Sequence, residues 1–436
     1  MLKLVNLKEK DYEKFLSNQK KSHFLQSFAW GEFSKQQKKL IPHYTGLINE
    51  KNEIKATALL LQKQLPFGYS YFYSPRGFVL DYSDLELLEV MSLKVIDYVK
   101  NQNGIFFKID PDIIINNKNY LNENVDLEYP AVKIIETLKK IGFKIHNYDQ
   151  DFHSSQPKFT FRLDLKQSSE ELYNHFSKTT RQRIGKSKKL DTIVEIGNRD
   201  DISSFYDLML LTENRKGFVS HSKNYYESLY DIFNSKKNSK ALLFLGKIKF
   251  NNTIKTLKKS LSDIENQISK LSTENISKNS KIKYRQLCEQ KEKTNLDIKK
   301  YEKAKKKYGK ELILSAHMII QYGDKSWVLY AGNHDKLSET YVNYNTYNQH
   351  LFYSKNEKLN YYDQFGTIGN ISKNNPNYGI HEFKKKFGGN YIEFIGEYEY
   401  ITNKIIYFVF KNLVPIYRNY NLRKSQKNLK KTIEKN

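Results

Sequence analysis

The sequence predicts a mixed α/β protein made of two copies of one fold, with an antiparallel coiled-coil helical arm inserted in the second copy. Three observations predict it. Two strand-like runs joined by a tight turn, then a helix, then another strand, occur in that order at 54–109 and again at 312–362. Between 251 and 308 the periodicity changes to a heptad register. The 436 residues include 33 Tyr and 26 Phe, enough large apolar side chains for more than one core.

In chain order, helices are expected at 11–20 and at 27–39, the second with Trp30 and Phe33 on one face. Runs 54–65 and 69–73 read as strands around Pro66-Phe-Gly68, and the second ends in Ser74-Pro-Arg-Gly77. Residues 84–100 bring Leu87, Leu88, Met91, Val95 and Ile96 to one helical face. A strand at 105–109 ends at Asp110-Pro111, and a helix at 131–141 with a strand at 143–148 closes the first unit. The second copy begins near Phe159. Its strand at 241–250 runs into Ile254, Leu257, Leu261, Ile264, Ile268 and Leu271, an a/d register. A polar break at 273–280 precedes a weaker register through Tyr284, Leu287, Ile298, Tyr301 and Tyr308. Two helices of about 25 residues, at ~1.5 Å rise, make an arm nearly ~40 Å long. Strands at 312–322 and 325–330 then meet through Gly323-Asp324, followed by a helix at 340–355 and a strand at 359–362. The expected division is a first domain at 1–150, a second at 151–250 and 309–400, the arm at 251–308, and a C-terminal helix and basic tail at 401–436.

Lys and Arg exceed Asp and Glu by 73 − 48 = 25, so the surface carries a positive field suited to phosphate, nucleic acid or an anionic membrane face. The single cysteine, Cys288, rules out a disulfide framework and a Cys-based metal site and suits a reducing cytoplasm. The N-terminus reads as lacking an apolar targeting region. The most apolar run, 405–410, is far shorter than the ~20 residues a spanning helix needs.

The chemistry centres on 377–399. Ile380, Phe383, Lys384 and Phe387 recur at spacings of three and four, Gly388-Gly389 stops the helix, and 390–395 alternates as a strand. Adjacent helical side chains are ~100° apart, so Lys384, Lys385 and Lys386 cannot share one face, and Lys384 beside Phe383 belongs in a cleft. Residues 177–189 form a basic helix anchored by Ile184, whose Arg181, Arg183, Lys186 and Lys188 suit a phosphate backbone. Arg215 near the end of another helix is a candidate anion clamp.

In order, Ser22-His-Phe-Leu-Gln-Ser-Phe-Ala-Trp-Gly-Glu32, Tyr71-Phe-Tyr-Ser-Pro-Arg-Gly-Phe-Val-Leu-Asp81, Lys108-Ile-Asp-Pro111, the basic run at Thr180, Arg215-Lys-Gly-Phe218, Tyr330-Ala-Gly332 and Phe383-Lys-Lys-Lys386 with Tyr391-Ile-Glu-Phe-Ile-Gly-Glu397 span nearly the whole chain. Together they resemble the FemABX family of tRNA-dependent aminoacyltransferases that build the peptidoglycan cross-bridge. The resemblance implies two tandem acetyltransferase-like domains, with an arm like that of the FemA and FemB branch. It implies aminoacyl-tRNA as donor, a lipid-linked peptidoglycan precursor as acceptor, no cofactor or metal, and peripheral contact with the cytoplasmic membrane face. A homologous Fem-type partner or a homodimer is compatible with it.

Carried over by position, Lys384 matches the lysine that stabilises the oxyanion, Phe383 the aromatic beside it, and Asp110 the aspartate near the acceptor amine. Arg215 and Tyr330 match contacts to the precursor's diphosphate, and Trp30 and Arg76 lie in two of the matching stretches. The lysine expected four residues after Trp30 is Ser34, for which adjacent Lys35 is the substitute. The transferred residue is Gly, Ala or Ser. Alternatives are a Fem-like immunity factor altering the bridge against a bridge-cutting hydrolase, an acyl-CoA-dependent N-acetyltransferase, and a non-catalytic RNA- or membrane-binding protein.

Overall fold

The computed structural model describes residues 2–147, 150–152, 154–217, 219–271 and 278–412. Its fifteen strands, among the described residues, are β1 (Lys3–Asn6), β2 (Ile41–Ile48), β3 (Ile54–Gln64), β4 (Ser70–Ser74), β5 (Gly104–Ile109), β6 (Ile114–Lys118), β7 (Lys144–Asn147), β8 (Phe159–Asp164), β9 (Thr192–Gly197), β10 (Ser239–Lys249), β11 (Glu311–Tyr322), β12 (Lys325–Asn333), β13 (Tyr361–Asp363), β14 (Asn390–Phe394) and β15 (Glu397–Ile401). They form a seven-stranded sheet, β1-β2-β3-β4-β5-β15-β7, and an eight-stranded sheet, β6-β14-β8-β13-β12-β11-β10-β9.

The expected hairpins are present: β3 pairs β4 antiparallel with Leu61 opposite Tyr73, and β11 pairs β12 with Met318 opposite Tyr330. The helix Leu85–Asn101 starts where Asp84 Oδ1 accepts from Leu87 N at 2.8 Å. It buries Leu88, Met91, Val95, Ile96 and Val99 against one face of the first sheet, each contributing ~1.5–3 kcal/mol by removal from water. The other face of that sheet shares a core with the second sheet: Leu59, Leu61 and Val79 pack with Phe24, Trp30, Phe33, Met318, Ile320 and Trp327. Helices Lys178–Lys189 and Val342–Asn356 cover the far face of the second sheet through Ile184, Tyr347 and Leu351.

Two strands cross between the halves. β6 pairs β14 at the edge of the second sheet, and β15 runs between β5 and β7 of the first, with Tyr398 opposite Ile109. Residues 397–400, assigned from sequence to the second domain, thus hydrogen-bond in the first sheet. Alternation in 390–395 reports one strand, and nothing local reports the second at 397–401 or which sheet receives either, because register is set by partners distant in sequence.

The arm consists of helices Phe250–Leu271 and Lys278–Tyr308, antiparallel as shown by the ion pairs Lys258–Glu302 (3.2 Å) and Lys291–Glu265 (3.0 Å). Its base is part of the fold: Phe250, Ile254, Ile298 and Tyr301 pack with Leu190, Leu314 and Val342. Most of the expected break at 273–280, the end of the strand at 143–148 and the basic tail beyond 412 lie outside the described residues.

Candidate active site

β5 ends at Ile109, and Pro111, which lacks a donor for a ladder, turns the chain. Asp110 is left 3 % exposed just past the C-terminal end of this interior strand. Its Oδ1 accepts from Arg76 N at 2.7 Å and its Oδ2 from the Tyr73 hydroxyl at 2.9 Å. Burial pushes its pKa up to about 6, against the lowering effect of Arg76. The Arg76 guanidinium lies 4.2 Å over the Phe394 ring and donates to Pro157 O at 2.6 Å.

Two residues on, Asp112 receives Arg162 through two hydrogen bonds, 3.3 and 3.0 Å, and Arg162 Nε donates to Asp363 at 3.0 Å. Burial alone would raise the Asp112 pKa, but Arg162 and Lys21 overcome it and hold the carboxyl well below its usual range. Asp363 also accepts from Thr160 Oγ1 at 2.6 Å and Phe365 N at 2.8 Å. A chain of charges thus joins the Asp110 turn to the loop after β13.

Lys384 holds that loop. It projects from the helix Tyr378–Lys385, and its Nζ donates to the carbonyls of Gln364 and Phe365 at 2.6 Å and Gly366 at 2.5 Å. All three N–H bonds are therefore used within the protein. Burial pushes its pKa down to about 7, opposed by Asp363, while the three carbonyls favour the charged form. Gln364 returns the contact, donating to Lys384 O at 3.2 Å and Gly388 O at 3.3 Å. Phe383 packs edge-on to Tyr344 (5.1 Å) and Tyr347 (5.4 Å).

The basic helix is fastened to the same place. Ser177 N, at its N-cap, donates to Lys386 O at 2.9 Å, and Arg183 donates to the Tyr344 hydroxyl with its guanidinium over the Tyr341 ring at 5.3 Å. Lys186 Nζ lies 5.2 Å over Tyr341, and Lys188 is exposed. Arg181 instead caps the carbonyls of Asn174 and Phe176 at 2.8 and 2.6 Å. Arg183 and Lys186 remain on a surface beside Phe383 through Tyr341 and Tyr344, while exposed Lys188, five residues on from Arg183, lies ~140° around the helix.

Tyr330 belongs to a separate aromatic cluster, with Tyr225, Tyr226 and His221. The Tyr330 hydroxyl meets that of Tyr225 at 3.0 Å, and His221 stacks on Tyr225 at 3.7 Å. Gly332 has a structural reason: a Cβ there would lie 2.9 Å from the backbone of Leu208 and Met209, so only glycine lets the helix Ile202–Lys216, which carries exposed Arg215, settle on β12. Trp30 joins this core through Phe33, which meets Tyr225 at 4.8 Å. Lys35 does not substitute at Ser34. Ser34 is buried, whereas Lys35 is exposed beside Glu32, Ile232 and Lys236, and the cation reaching the Trp30 ring is Lys38, at 4.4 Å. The helical phase explains it: five residues turn a side chain ~140° away.

Sequence reasoning missed Arg162, Asp112 and Asp363. Asp112 lies beside the noticed Asp-Pro turn, but Arg162 and Asp363 are about 200 residues apart and carry no local signal. The bridge borders a cavity of about 480 Å³ whose walls include Lys21, Asp112, Arg162, Lys325 and Trp327. Among the described residues no cluster of three or more His, Cys, Asp or Glu is arranged to hold a metal, and no helix is long and apolar enough to cross a membrane.

A model of the FemAB family matches residues 7–414. The chain belongs to the FemAB family. Among its relatives, a Lipid II:glycine glycyltransferase of Staphylococcus haemolyticus (strain JCSC1435) is 26 % identical over 94 % of this chain and 96 % of the relative. One of Staphylococcus aureus is 26 % identical over the same shares. The crystal structure of FemX superposes with a TM-score of 0.75 at 24 % identity, covering 93 % of this chain and 99 % of that one, a likeness of fold. The mixed α/β fold read from the sequence is thus that of FemX.

Proposed function

We propose that this protein transfers an aminoacyl group from aminoacyl-tRNA to an amine of a lipid-linked peptidoglycan precursor at the cytoplasmic membrane face. The observation that carries the reading is the junction of the basic helix with the Lys384 helix, which brings basic side chains of a kind suited to phosphate close to the loop that Lys384 holds. The names of the relatives, Lipid II:glycine glycyltransferase, support the acceptor and make glycine the first donor to test.

In this reading the acceptor nitrogen attacks the ester carbonyl of the aminoacyl-tRNA, and the bond to the terminal ribose oxygen breaks. An amine with free pKa ~10.4 must first lose a proton. Asp110, its pKa raised to about 6, is a stronger base than an ordinary carboxylate and orients that amine. That first proton leaves the ammonium before attack, with Asp110 as its acceptor; the second, released from nitrogen as the C–N bond forms, goes to the leaving ribose oxygen. Lys384 stabilises the oxyanion by exchanging one of its three loop carbonyls for the developing charge, a contact whose loss typically costs ~3 kcal/mol. Arg183, Lys186 and Lys188 hold tRNA phosphates, while Tyr330, Arg215 and Lys38 face the precursor. The competing acyl-CoA reading is weakened by the helix Ser169–Asn174, which separates the basic helix from β8, whereas a pyrophosphate loop should follow its strand directly.

The test is transfer of labelled glycine, alanine or serine from charged tRNA to purified precursor, beside labelled acetyl-CoA. Label moving from tRNA supports the reading; label moving only from acetyl-CoA overturns it.

A further inference from the structure

We infer that the outer face of the helix at 404–412 is a docking surface for an anionic lipid bilayer. The inference rests on the proposed function for why a membrane should matter, and on geometry for where it is met.

The helix begins at Asn403, whose Oδ1 accepts from Ile406 N at 3.0 Å, directly after β15. Its inner face is fixed to the first sheet. Tyr407 meets Phe106 edge-on at 5.4 Å and donates to Glu399 at 2.6 Å, and Phe410 packs on Tyr71 and Phe106 at 5.8 and 5.7 Å. This leaves Ile405, Phe408 and Val409, spaced i, i+3 and i+4, facing water at 76, 68 and 43 % exposure. A helix already anchored through one apolar face has no fold-internal reason to carry a second.

Two further features complete the surface. Phe67, 96 % exposed, crowns the β3–β4 turn. It lies at the same end of the sheet as the helix start, because Ser70 pairs Gly104 while Thr402 and Asn403 donate to Ile105 O at 3.1 Å. Exposed Lys404 and Lys411, seven residues and so only ~20° apart in helical phase, border the stripe on one side; by composition alone, residues 413–436 add seven Lys or Arg against one Glu.

An aliphatic and aromatic stripe bordered by lysines is what an interfacial helix presents to lipid: side chains to enter the acyl boundary, cations to meet anionic headgroups. A second copy of a chain with net charge +25 would bring like charges together at this face. The stripe offers nothing to a nucleic-acid phosphate.

The experiment uses the full chain and vesicles free of precursor. Sedimentation with vesicles about one-third phosphatidylglycerol should carry the protein down, and pure phosphatidylcholine should not. The triple variant Ile405→Ser, Phe408→Ser, Val409→Ser should lose at least about tenfold in partitioning, with unchanged melting temperature and unchanged transfer to a water-soluble, lipid-free precursor. A Phe408→Trp variant should show blue-shifted emission quenched by brominated acyl chains. Unaltered vesicle binding by the triple variant overturns the inference. So does a change in its oligomeric state, which would assign the stripe to a second copy, or in its melting temperature, which would assign it to the chain's own tail. Vesicle binding without any transfer would overturn the functional reading while supporting the docking surface.

Discussion

Arg162 grips Asp112 with two hydrogen bonds, 3.3 and 3.0 Å, and so ties a turn of the first half of the chain to a central strand of the second sheet. Both groups are largely buried, so losing one partner strands the other charge. Asp112→Asn is expected to cost about 3–5 kcal/mol in denaturant unfolding. Because the Asp112 pKa is depressed in the native state, its contribution is present above the ordinary value of 3.8 and lost as pH falls below it. A deficit in the variant that persists undiminished in acid would contradict this.

Asp110 behaves in the opposite sense. Its native pKa of about 6 lies above the ordinary 3.8, so between these values the native state holds a proton that the unfolded chain has released. Stability from this group therefore falls as pH rises through that window, by about 3 kcal/mol for about two units. Asp110→Asn should abolish transfer yet be more favourable to stability at pH 7 than at pH 4, relative to the native protein. An equal difference at both pH values would refute the assignment.

Lys384→Ala should lower turnover by about two to three powers of ten with little change in KM for the precursor, since the contact strengthens only as charge develops. It should also lower the melting temperature, because three carbonyls lose their donor. Lys385→Ala, exposed, and Lys386→Ala, paired with Glu382 at 3.5 Å, are the controls and should do neither. Equal modest losses in all three would reduce the run to a diffuse basic patch.

Gly332→Ala should displace the helix Ile202–Lys216 from β12, costing about 1–3 kcal/mol and raising KM for the precursor more than it lowers kcat. Binding that stays unchanged would separate Arg215 and Tyr330 from the acceptor.

The arm is expected to tolerate shortening only above its base. Replacing 258–297 by a short turn should leave a folded protein, since loop closure is cheap. Removing 251–308 takes out Ile254, Ile298 and Tyr301 from a packed cluster and should unfold it measurably. Equal melting temperatures for the two deletions would refute this.

What could be read in advance was local. The heptad register reported the arm, the run around Phe383 and Lys384 reported a short helix with one lysine turned inward, and Asp110-Pro111 reported a strand end. What could not was set by distant partners. Nothing near Lys384 says that its ammonium is taken up by carbonyls of residues 364–366, and nothing near Arg162 names Asp112 and Asp363. The assignment of Lys35 failed for a physical reason that was available: proximity in sequence is not proximity in helical phase.

The exchange of β6 and β15 between the sheets has a bearing on biosynthesis. Domains usually mature one after another as they leave the ribosome, the N-terminal one first. Here the space between β5 and β7 is filled only by Glu397–Ile401, so the half made earliest waits for the last of the described strands to be translated. Until then Ile109 and Ile145 face an open slot, and the nascent chain depends on whatever shields unpaired strand edges in the cell.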